Sequence, residues 1–181
     1  MVVLKKIWIS LLLASAFAFA DGDSDKELIK IALRGDVLAA QELVSKGASV
    51  NAATEKGLTP LMLASLHGHN EFVAFLIEKK ANVNAKDITG TTALMAASKL
   101  GHLNVVRQLL SAQAQIDAKS EKGKTALMLA ATDGKLDMVK FLVEKGADIN
   151  IKGQDGMSPL GLAQVGNHSD VVAFLKSKNG E

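Results

Sequence analysis

Glycine recurs at a fixed interval along most of the chain. Gly57, Gly90, Gly123 and Gly156 stand 33 residues apart, and Gly35, Gly68, Gly101 and Gly134 repeat with the same spacing. A short run follows each glycine of the first series: Thr59-Pro60-Leu61-Met62, Thr92-Ala93-Leu94-Met95, Thr125-Ala126-Leu127-Met128 and Ser158-Pro159-Leu160-Gly161. A third series keeps step, comprising Gly47-Ala48-Ser49-Val50-Asn51, Lys80-Ala81-Asn82-Val83-Asn84, Gln113-Ala114-Gln115-Ile116-Asp117 and Gly146-Ala147-Asp148-Ile149-Asn150. Three motifs in phase restrict the fold to an array of like units, each a supersecondary element stacked on its neighbours.

The chemistry of one unit can be read directly. Thr59, Thr92, Thr125 and Ser158 are good N-caps, since a hydroxyl there accepts an otherwise unpaired backbone N–H. Pro60 and Pro159 follow at the first helical position, where a missing N–H costs nothing. Gly68, Gly101 and Gly134 are placed to end that helix in a left-handed conformation, with Asn167 in the same slot of the last unit. A longer second helix then carries an apolar stripe: Phe72, Val73, Phe75, Leu76 and Ile77; Val105, Val106, Leu109 and Leu110; Met138, Val139, Phe141, Leu142 and Val143. Each stripe is too small to form a core alone, so neighbouring units must stack to bury it. The phenylalanines after residue 20 lie on these stripes and are expected in the core.

The motifs resemble the ankyrin repeat, a β-turn followed by two helices with a 33-residue period. The resemblance implies an all-α solenoid of helix-turn-helix units with turn or hairpin tips. Five repeats are expected, at 21–53, 54–86, 87–119, 120–152 and a shortened 153–181, forming one domain over 21–181. Lys30 replaces the leucine of positions 63 and 129, and Lys176 the apolar residue of 77, 110 and 143. Both place charge where a terminal repeat must meet water.

Two departures from the family pattern stand out. Its usual histidine after the Thr-Pro-Leu run, which hydrogen-bonds within and between repeats, is replaced by Met62, Met95, Met128 and Gly161. That puts the family's inter-repeat polar network in question, with methionine packing into the same space. Lys80 and Gln113 replace a turn glycine after the second helix, which should cost some stability.

The formal charge of +2 rests on the first 20 residues. Removing Lys5 and Lys6 leaves 19 basic against 19 acidic residues, and a neutral array has no global field for nucleic acid. Residues 1–20 have the layout of a signal peptide: Lys5 and Lys6, an apolar stretch Ile7–Ala16, and Ala18-Phe19-Ala20 before Asp21. Ile7 to Ala20 is short of the ~20 apolar residues of a membrane span, so a cleaved leader is expected, with no stable span afterwards. For a Gram-negative source the destination would be the periplasm, with secretion as the alternative. The absence of cysteine removes disulfides, thiolate metal sites and a cysteine nucleophile.

Nothing in the chain points to catalysis or a cofactor. There is no phosphate loop, dinucleotide fingerprint or Gly-x-Ser-x-Gly. His69, His102 and His168 recur at one repeat position, and His67 with His69 makes only a two-ligand pair, so no metal is expected. The family resemblance implies instead a non-catalytic scaffold that binds a protein on a concave face of tips and first helices. The tips supply Glu55, Lys56, Leu58, Ile88, Thr89, Thr91, Glu121, Lys122, Lys124, Gln154, Asp155 and Met157. The helix ends supply Leu66, His67, Lys99, Leu100, Thr132 and Asp133. Lys86, Lys119 and Lys152 form a basic ladder that favours an acidic patch on the partner. The expected role is a monomeric periplasmic scaffold supporting or regulating an exported enzyme, with a host-directed effector as the alternative.

Overall fold

The computed structural model describes residues 21–178, and the leader expected at 1–20 lies outside the described residues. Over the described residues the fold is all-helical and made of five antiparallel pairs. These are α1 (Asp21–Ala32) with α2 (Val37–Ser45), α3 (Pro60–His67) with α4 (Asn70–Glu78), and α5 (Ala93–Leu100) with α6 (Leu103–Ser111). The array continues with α7 (Ala126–Thr132) and α8 (Leu136–Glu144), then α9 (Pro159–Val165) and α10 (Ser169–Lys178). There is no strand among the described residues.

Local chemistry sets the helix boundaries as the sequence predicts. The hydroxyls of Thr59, Thr92 and Thr125 accept from the N–H groups of Met62, Met95 and Met128, each at 3.3 Å. Ser158 does the same for Gly161 at 3.2 Å. Asn167 adopts φ 57°, and Lys80 and Gln113 are held at φ 65° and 66°. The last two are the strained turns expected from the missing glycines.

The helices form two layers. The first helices of successive pairs pack closely on one another, while the second helices form a looser outer layer. Close approach within the inner layer is allowed by Ala64, Ala97, Ala130 and Ala163, all fully buried and one repeat apart. Leu61, Leu94 and Leu127 are also buried there, and full burial of such a side chain contributes about 1.5–3 kcal/mol. Met62, Met95 and Met128 are buried fillers. Phe72, Phe75 and Phe141 are core residues, whereas Phe174 on the terminal helix is only partly covered. Lys30 and Lys176 are exposed at the two ends.

One sequence expectation needs correction. The methionines do not leave the stack without a polar network between repeats, because other residues supply it. The Nε2 atoms of His69, His102 and His168 lie 3.0, 3.1 and 2.9 Å from the carbonyls of Leu33, Leu66 and Thr132 in the preceding repeat. Asn51, Asn84 and Asp117 side chains accept from the N–H groups of Asn82, Gln115 and Asp148, at 2.7, 2.8 and 3.1 Å. Backbone bonds join the tips: Ile88 N–H to Lys56 O, Glu121 N–H to Thr89 O and Gln154 N–H to Lys122 O. Most of these bonds saturate backbone groups that helices cannot satisfy internally.

Candidate protein-binding face

The face that could receive a partner is built from the tips. Three tips are closed by a side-chain oxygen that accepts the N–H four residues on: Thr54 for Leu58, Asp87 for Thr91 and Ser120 for Lys124. Asp87 is the most committed. Its Oδ1 accepts from both the N–H and the hydroxyl of Thr89, at 2.8 and 2.7 Å. Thr89 Oγ1 also lies 2.8 Å from Thr91 Oγ1. These two threonines, expected as partner contacts, spend much of their polarity shaping the tip.

Between the tips of the third and fourth repeats lies a hollow of about 430 Å³, lined mainly by apolar surface. It gathers six predicted residues: Ile88, Thr89, Thr91, Glu121, Lys122 and Lys124. Met95, Ser120 and Leu129 complete the lining. Ile88 is 66% exposed at the edge of the hollow, one of five large apolar side chains exposed among the described residues. Beside Met95, Ala96 stands where Leu63, Leu129 and Leu162 stand in the other repeats.

Electrostatics at the hollow's edge are partly settled internally. Lys124 Nζ lies 2.6 Å from Asp155 Oδ2 in the next tip. This bond, with the Met157 N–H, holds the Asp155 carboxyl below its ordinary range. Lys122 and Glu121 are exposed, and Gln154 Nε2 donates to the Glu121 carbonyl at 2.7 Å. Of the lysine ladder, Lys86 donates to the Lys119 carbonyl at 2.9 Å, while Lys119 and Lys152 project as exposed side chains.

The remaining predicted residues are spread along the stack. Glu55 and Lys56 are exposed on the tip of the second repeat, and Leu58 is half-buried against the core. Lys99 and Leu100 are exposed at the end of α5, whereas Leu66 and Asp133 are half-buried. Thr132 donates its hydroxyl to the Met128 carbonyl. His67 stacks on His69 with ring centroids 5.8 Å apart, and His69 Nε2 already faces the Leu33 carbonyl. That geometry does not aim the pair at a shared metal. Among the described residues no group of three or more His, Cys, Asp or Glu could hold a metal ion. No described helix is long and apolar enough to cross a membrane.

A family model described as ankyrin repeats (3 copies) matches residues 28–120 and 114–181. The chain is an ankyrin-repeat protein. A search of curated proteins returns no match. Ankyrin repeats serve as protein–protein interaction scaffolds and are typically non-catalytic. In this ankyrin array the polar groups that recur in phase are largely occupied within the stack, and the apolar Ile88 on the hollow is not.

Proposed function

We propose that this ankyrin-repeat protein binds a protein partner through the hollow between its third and fourth tips. The observation that carries the reading is Ile88, 66% exposed beside an apolar hollow with Lys122 next to it. An apolar pocket with a charged rim receives one anchoring side chain and orients it by charge. The preferred partner therefore presents an apolar side chain next to carboxylates, which Lys122, Lys119 and Lys152 would meet. The scaffold acts as a monomer in the periplasm, supporting or regulating an exported enzyme. The leader layout of residues 1–20 supports export.

A photo-crosslinking residue at Ile88, compared with one at the outer-layer Ala74, tests the binding reading in the native host. A discrete adduct from position 88 alone supports it, and an adduct from Ala74 alone contradicts it. Release of the protein by osmotic shock checks the periplasmic assignment separately, and recovery from host cells would favour the effector role instead.

A further inference from the structure

The histidine contacts between repeats are interrupted once. His69, His102 and His168 each tie their repeat to the one before it, but the equivalent position in the fourth repeat is Lys135. A lysine stem cannot place a ring nitrogen at the Lys99 carbonyl, and it only runs past Gly101, 3.5 Å from where a Cβ there would stand. At Gly35, Gly68 and Gly134 the same space is filled by a histidine ring at 2.4–2.6 Å.

A second observation falls at the same junction. The outer helices α6 and α8 make less backbone contact than the other adjacent outer pairs, with α2 and α4 only slightly closer. Their visible bridge is the Arg107 guanidinium, 4.6 Å above the Phe141 ring, a contact that is adaptable in angle. The inner helices α5 and α7, in contrast, pack as closely as α3 and α5. The tips stay joined by the Glu121 N–H to Thr89 O bond of 2.8 Å.

We infer that the junction between the third and fourth repeats is a hinge, with the inner helices and tips as pivot and the outer helices free to splay. In a repeat array each interface contributes its own term, so one weakened interface localises bending. The hollow straddles this joint, with Ile88 on one side and Lys122 on the other, so bending changes the angle between its walls. The hinge does not depend on what the hollow binds.

The chain contains no cysteine, which makes paired spin labels straightforward. Glu71, Asn104, Asp137 and Asp170 are exposed and occupy one equivalent position in four repeats. Cysteines at adjacent pairs in the full chain give three distance distributions across three junctions. The hinge predicts the broadest distribution for 104–137, narrowed to its neighbours' width by Lys135→His. The reciprocal His102→Lys should broaden the 71–104 distribution. Equal widths at all three junctions would overturn the inference, as would a 104–137 width that Lys135→His leaves unchanged. Should His102→Lys fail to fold, Lys135→His, which adds a contact, still decides the matter.

Discussion

His102 and Leu66 are 36 positions apart, yet the imidazole Nε2 of the first lies 3.1 Å from the carbonyl oxygen of the second. The carbonyl belongs to the last turn of α3, where helical oxygens have no partner within the helix. His102→Ala removes that partner and should destabilise the protein by about 1–2 kcal/mol. Lys135→Ala, at the equivalent position without such a bond, should change stability by less than about 0.5 kcal/mol. Denaturant unfolding of the two variants checks the contrast, and equal losses would refute the role given to the histidine.

Glycine 68 carries two constraints at once. Its φ is 71°, and a Cβ built on it would stand 2.6 Å from the His102 ring. Gly156 has φ 72° with nothing within 4 Å. Gly156→Ala should therefore cost about 1–2 kcal/mol, the left-handed penalty alone. Gly68→Ala should cost clearly more, because the ring must also move. Thermal melts of the two variants test the order.

Much of this fold was legible in the sequence because a 33-residue period constrains every element at once. The N-caps, the stripes and the polar ends follow from residue chemistry within one unit. What the sequence concealed lies between units. The histidines and the Asn51, Asn84 and Asp117 series were visible as repeats, but their partners sit in another repeat. For the site, the exposed tips were predictable by phase. Met95 and Leu129 were not, since both occupy core positions and only the neighbouring tip shows which surface stays open.

Ser65 and Ser98 are fully buried and their hydroxyls have no hydrogen-bond partner. The fourth repeat places Ala131 at the same position, also fully buried. Burying an unpaired hydroxyl is unfavourable. Ser65→Ala and Ser98→Ala should each raise stability by up to about 1 kcal/mol, which calorimetry resolves as a higher Tm. A lowered Tm would mean that these hydroxyls are paired in solution.

The Lys124 ammonium lowers the Asp155 pKa by hydrogen bonding. A carboxylate depressed in the folded state contributes stability above its unfolded value, near 3.8, and loses it as pH falls through the lower folded value. Carboxyl NMR titration should place Asp155 below 3.8, and Lys124→Met should return it towards that figure. An unshifted Asp155 in the parent protein would remove the bridge between the fourth and fifth tips.

The most direct test of the binding face is the affinity of the parent chain and two variants for the partner crosslinked from position 88. Ile88→Asp places a charge at the mouth of an apolar hollow, where desolvating it against an apolar anchor is costly. Affinity should fall at least about tenfold, equivalent to about 1.4 kcal/mol, while Ala74→Asp on the outer layer leaves it unchanged. An Ile88→Asp protein that binds as tightly as the parent would contradict the assignment of the hollow.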